Sequence, residues 1–143
     1  MTRWLTTLLL FLATSLPGAQ PTPPASSTTT LDFPTFRDRV QPILLNKRAG
    51  LARCYVCHSQ STTFRLQRLA DGASSWSEEE TRKNFEAIQR LVIAGKPEAS
   101  RLLLMPLAHD AGGTEFHPGG KRWASQSDPE WKELAQWIKD ASR

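Results

Sequence analysis

The chain has 143 residues, a formal charge of +4, 39% hydrophobic residues and two cysteines. Setting aside a leader and a tether at its start leaves about 110 residues, one domain with a modest core. Losing Arg3 with the leader would bring the charge to about +3, too weak a balance to select nucleic acid or an anionic surface as partner.

Residues 1–20 read as a secretory leader. Arg3 supplies the positive start, Leu5 to Leu16 form the apolar run, and Pro17-Gly18-Ala19 supplies small residues for cleavage. The run is shorter than the roughly 20 apolar residues of a membrane span. The mature chain is therefore expected to have no span, unless the leader stays uncut as an N-terminal anchor. Pro17 beside the cleavage point keeps that alternative open. No cysteine follows the run to carry a lipid. Export places the protein in the periplasm of a bacterium or otherwise outside the cytoplasm. Residues 21–31 are a Pro/Ser/Thr-rich linker with little to bury, and 32–143 form the folded domain.

The first helix is expected from about Phe36 to Lys47, opened by Pro34 or Thr35. Phe36, Val40, Ile43 and Leu44 share one face. Pro42 inside this pattern should kink the helix or end it early. Gly50 marks the turn that follows.

Cys54-Tyr55-Val56-Cys57-His58 comes next and holds both cysteines. C-x-x-C-H is the spacing of c-type haem attachment. Two thiols at this spacing can add to the two vinyl groups on one edge of a haem. The histidine then lies under the ring, where a neutral imidazole binds iron as proximal ligand. One covalently attached haem c is expected, since there is no second such motif. Its two propionates would bring the net charge near about +1. Two other readings compete. A Cys54–Cys57 disulfide suits an oxidising compartment but leaves His58 without a role. Zinc held by Cys54, Cys57 and two of His58, His109 and His117 lacks a second closely spaced ligand pair.

Residues 59–75 should be mostly irregular, with Phe64, Leu66 and Leu69 turned inwards and a turn at Asp71-Gly72. The second helix starts at Ser77, with Glu80 completing a capping box and Glu78–Glu80 at the positive end of the helix dipole. Phe85, Ile88, Leu91 and Val92 form its apolar stripe, and Gly95 ends it. A short helix with Pro97 in its first turn covers Pro97 to Leu103. After Met105-Pro106 a long loop runs to about Gln126. The last helix takes Asp128 as N-cap and Pro129 at its first position, with Trp131, Leu134, Ala135 and Ile138 inside. No strand-like alternation occurs, so the domain reads as all-α around a cofactor. Of the five tryptophans, Trp4 belongs to the leader. At least two of Trp76, Trp123, Trp131 and Trp137 should pack against helices or cofactor, an aromatic carbohydrate site being the other use of such a set.

From Phe33 to Ala141 the chain resembles a single-haem cytochrome c domain of the class I type, of the kind common in exported proteins of acidobacteria and planctomycetes. The residues that carry the resemblance are Phe36, Val40 and Pro42-Ile43-Leu44, then Cys54 to His58. Gly95-Lys96-Pro97-Glu98-Ala99-Ser100-Arg101-Leu102-Leu103 and Met105-Pro106-Leu107 follow. Gly112-Gly113, Phe116-His117-Pro118-Gly119-Gly120 and Trp137-Ile138 complete the set. The resemblance implies a small class I cytochrome c-like helical fold, with first and last helices crossing beside one covalent haem. It also implies electron transfer with redox partner proteins rather than catalysis. Met105-Pro106-Leu107 departs from the Met-Pro-Pro form of many relatives.

The second axial ligand is sought among Met105, His109 and His117. Met105 has a Met-Pro context but also suits an apolar core. His117 lies between glycine pairs that let backbone approach a flat cofactor, and the resemblance places a histidine there. His117 is thus the favoured distal iron ligand and Met105 the alternative, while His109 beside Asp110 reads as a surface residue. Methionine would raise the potential and a second histidine would lower it. An open distal site would instead make a haem-based ligand sensor or peroxidase-like enzyme, with Arg122 and His109 as its only candidate helpers. A non-haem secreted binding module with a Cys54–Cys57 disulfide is the remaining alternative.

Overall fold

The structure is a computed structural model that describes residues 30–60 and 63–141. The leader at 1–20 lies outside the described residues, as does the linker apart from Thr30 and Leu31. The described residues form helices joined by long irregular stretches. They contain no strand, and an isolated parallel bridge pairs Leu107 with Trp123. The fold is all-α, as expected. Among the described residues no helix is long and apolar enough to cross a membrane.

The first helix, α1, passes through Phe33–Thr35, a π-helical turn Phe36–Val40, and Gln41–Leu45. It starts earlier than the sequence suggests. The Asp32 carboxylate accepts the Thr35 N–H at 2.6 Å, and Pro34 lies in the first turn, where a missing N–H costs no helical bond. The helix does not end before Pro42. Proline cannot donate to the carbonyl four residues back and its ring crowds that carbonyl. The preceding turn widens instead, so that the Gln41 N–H reaches the Phe36 carbonyl five residues away. Phe36, Val40, Ile43 and Leu44 are all buried.

Four more helices follow: α2 at Cys54–His58, α3 at Glu78–Gln89, α4 at Arg101–Leu104 and α5 at Pro129–Asp140. The capping box of α3 forms as expected. The Ser77 hydroxyl accepts the Glu80 N–H, and the Glu80 carboxylate accepts the Ser77 N–H at 2.9 Å. Gly95 does not end this helix, which stops at Gln89. Its N–H donates to the Ile138 carbonyl at 2.9 Å, satisfying one of the end carbonyls that α5 leaves without an internal partner. The short helix after Pro97 splits into a 3-10 turn, Pro97–Ala99, and α4. Ser100 sits buried at the break, donating to Lys96 O at 2.8 Å and accepting the Ile93 N–H at 3.0 Å.

The core lies where α1, α3 and α5 meet. The Phe36 ring is 5.2 Å from Phe85 and 5.8 Å from Trp137, centre to centre. The Trp137 indole N–H donates to Asp32 O at 2.9 Å, which joins the start of α1 to the end of α5. Trp76, Trp123 and Trp131 are buried as well, so these rings pack the interior and form no carbohydrate platform. The stretch before α3 is irregular but pinned. Gln67 gives its N–H to Asn84 at 2.7 Å and takes the Trp76 indole N–H at 3.0 Å.

A polar anchor complements the apolar one. Buried Arg122 forms a two-pronged pair with Glu130, at 2.9 and 3.0 Å, and also donates to the carbonyls of Ile43 and Asn46. Glu130 further accepts from Asn46 and from the Trp123 indole, while Arg48 reaches Asp128 at 2.8 Å. The network ties the end of α1 to the start of α5 and to the last residues of the long loop.

Candidate functional site

The short helix α2 carries Cys54, Cys57 and His58. Its end is held by the chain that follows, through the Leu66 N–H to His58 O at 3.1 Å. Cys54 is half-buried against the edge of the core and Cys57 is exposed; both are free thiols. Burial pushes the Cys54 thiol above its usual range; Arg122 nearby pulls it down and Glu130 pushes it up. Cys54 is therefore protonated at neutral pH, the form in which an S–H bond is available to add across a double bond.

The His58 ring is half-buried, with its centre 4.6 Å from that of Phe64 and its Nδ1 3.3 Å from Phe64 O. Burial lowers its pKa. The Phe64 carbonyl works the other way, and His117 lowers it further. The balance favours the neutral imidazole, which is the metal-binding form.

His117 comes from the long loop between α4 and α5. Its Nδ1 is 2.7 Å from Gly120 O, and the Gly120 N–H returns to His117 O at 2.9 Å. Gly120 has φ +79°, a conformation that glycine adopts without steric cost, so the turn closes tightly around the imidazole. The rings of His58 and His117 stand 6.2 Å apart, centre to centre, with their planes 22° from parallel. In both rings Nδ1 faces a carbonyl oxygen. A carbonyl only accepts, so in a neutral ring the proton belongs on Nδ1 and the lone pair on Nε2. A backbone carbonyl on the second ring nitrogen is the usual support of a metal-ligating histidine.

The other candidates lie elsewhere. His109 is exposed in the 3-10 turn His109–Ala111, 3.7 Å from Asp110. Arg122 is committed to Glu130 and to backbone carbonyls, so it and His109 form no pair for peroxide chemistry. Met105 is half-buried just after α4. It joins the site through its carbonyl, which accepts from Thr114 Oγ1 at 3.3 Å and from Lys121 Nζ at 3.2 Å. Among the described residues no three His, Cys, Asp or Glu side chains gather as a metal-holding group, so the four-ligand zinc reading finds no ligand set.

At Gly113 the loop itself leaves no room for a side chain. A Cβ at Gly113 would collide with Leu107 O and come within 2.9 Å of Ala108 O. The contact is the loop folding on itself. Sequence reasoning also passed over Lys121 and the two carbonyls, Phe64 O and Gly120 O, that orient the histidines. Backbone acceptors leave no trace in residue type. The signal that was available was the Gly119-Gly120 pair, which marks the turn carrying one of those carbonyls. The site is bordered by the exposed side chains of Val56, 44% accessible, and Phe116, 73% accessible.

No family model matches the chain, and comparison with curated proteins and with solved structures finds no similar protein.

Proposed function

We propose that the chain is an exported c-type cytochrome that holds one haem and passes single electrons between redox partners. One observation carries this reading: His58, directly after the Cys54/Cys57 pair, faces His117 across 6.2 Å with both Nδ1 atoms on backbone carbonyls. His58 and His117, each with Nδ1 at a carbonyl, are the two imidazoles that would hold the iron of a haem attached at Cys54 and Cys57.

In this reading Cys54 and Cys57 form the thioether links, His58 is the proximal ligand and His117 the distal one. The haem supplies a one-electron iron couple. The protein's part would be to hold both imidazoles fixed in direction, so that little would rearrange when the charge on the iron changed. The Phe64 and Gly120 carbonyls do this, because each keeps a proton on Nδ1 and adds basicity to Nε2. Two histidines set a lower potential than a histidine–methionine pair. If His58 and His117 both held the iron, it would have no open position for a substrate, which would favour a carrier over a catalyst. Export supports the same reading, since the leader would deliver the chain to where haem c is attached.

The test is a visible spectrum of the purified exported protein, ferric and ferrous, with and without carbon monoxide. A six-coordinate low-spin spectrum indifferent to carbon monoxide, lost in His117→Ala, is the expected result. Intact mass must also show one haem adduct. Absence of the adduct ends the haem reading. A spectrum unchanged in His117→Ala removes His117 as ligand, and a long-wavelength ferric methionine band in the parent assigns Met105.

A further inference from the structure

Lys121 lies next to Gly120, the residue whose carbonyl orients His117. Its ammonium reaches three oxygens: Met105 O at 3.2 Å, Thr114 Oγ1 at 3.2 Å and, closer still, Thr114 O. Three acceptors use all three donors of an ammonium. Thr114 is itself fixed, its N–H on Leu104 O at 3.0 Å and its hydroxyl between Met105 O and Phe116 O. The contacts join the two ends of segment 114–121, which carries His117, and bind them to the end of α4. The base of the same loop is closed separately. The Arg122 N–H bonds Pro106 O at 2.7 Å and the Ala108 N–H bonds Trp123 O at 2.8 Å. These backbone bonds do not involve the lysine side chain, so the loop has an inner clamp and an independent outer seam.

We propose that Lys121 is the positioning residue for His117. By closing segment 114–121 its ammonium holds the His117 ring opposite His58, and so sets His117 rather than Met105 as the second axial ligand. Met105 is attached to the same clamp through its carbonyl, so releasing the lysine frees both candidates at once. The ligand assignment rests on the haem reading above; the ring placement does not.

The experiment compares Lys121→Met, Lys121→Arg and Thr114→Val in the full-length haem-loaded protein. Lys121→Met removes the charge at similar length. It is expected to raise the carbon monoxide-reactive fraction roughly tenfold, a shift of about 1.4 kcal/mol in the ligand equilibrium. Lys121→Arg, still cationic, recovers part of the parent spectrum, which a purely structural role for the stem would not explain. Thr114→Val removes the hydroxyl that accepts from Lys121 and donates to Met105 O or Phe116 O, leaves the other two acceptors of the ammonium, and moves the spectrum the same way by less. If Lys121→Met does not accumulate, Thr114→Val decides. Spectra and carbon monoxide response equal to the parent's overturn the proposal.

The same variants are read without cofactor by the nuclear Overhauser contact between the His58 and His117 rings in the full chain. Loss of that contact in Lys121→Met upholds the clamp even if the protein binds no haem, whereas its persistence overturns the clamp. Failure of the haem reading and failure of the Lys121 assignment are thus separate outcomes.

Discussion

The face built from α1, α3 and α5 and the face built from α2 and the 105–123 loop are held together by different forces. On the first, Phe36, Ile88, Leu134 and Ile138 are sealed from solvent and touch across helices. On the second, short polar contacts to backbone oxygens do the holding: His58 to Phe64 O, His117 to Gly120 O, Lys121 to Met105 O. Two phenylalanines summarise the contrast. Phe36 is 0% accessible and Phe116 is 73% accessible. Apolar burial stabilises in proportion to area and tolerates small shifts. A hydrogen-bonded loop draws little from area but fixes atoms in direction. The helical face supplies stability, and the loop face supplies geometry.

That division can be broken by substitution. The largest effect belongs to the helical face: Phe36→Ala should cost about 3–5 kcal/mol in urea unfolding. Phe116→Ala should stay within about 0.5 kcal/mol, as exposed substitutions do. Equal costs at the two positions would erase the contrast.

The polar anchor between the faces should respond to acid. Burial alone would raise the pKa of Glu130, but hydrogen bonds from Arg122, Asn46 and Trp123 bring it below the ordinary value of 4.5. A carboxylate whose pKa falls on folding contributes stability above its unfolded pKa. That contribution is lost as the pH drops through the folded value. Unfolding should therefore become easier below pH 4.5. Glu130→Gln leaves Arg122 buried without its counter-charge, so it should lower stability at neutral pH by about 3 kcal/mol and flatten the acid limb. Asp128 still titrates in that variant. Burial would raise its pKa, but Arg48 helps to bring it below the usual carboxylate range, and part of the acid dependence remains. A limb as steep as the parent's would assign the acid response to other groups.

The smallest effect is local. Ser77→Ala removes one half of the capping box of α3 and should cost about 1 kcal/mol, read as a shift in the unfolding midpoint with the nuclear Overhauser contact between the His58 and His117 rings unchanged. A change in that contact would mean that the two faces are less separate than their contacts indicate.

The helical face was largely legible in the sequence. Ser77 with Glu80, and Asp128 with Pro129, announce α3 and α5 because capping is a short-range event among neighbouring residues. The start of α1 was harder, since Asp32 and Thr35 are both good cap residues and only the side-chain geometry separates them. Pro42 reads as a breaker in a pattern search, yet a turn widened by one residue absorbs it. On the loop face, the cysteine spacing singled out His58 and the glycine pairs singled out His117, two rings that the fold brings to 6.2 Å. What they could not convey is the closure of the loop by Lys121 on Met105 and Thr114. Those contacts depend on a long side chain meeting carbonyl groups, and a carbonyl belongs to every residue.

Gly113 shows what such closure means for variation. Every single-base missense change of a glycine codon adds a side chain, and any side chain at Gly113 begins with a carbon that would strike the Leu107 carbonyl. Point mutation therefore has no conservative route at this position. Drift in the loop is confined to residues that face outwards, Phe116 among them. Two descendants of this gene could come to differ widely along the rim of the loop while keeping the same glycine at its neck.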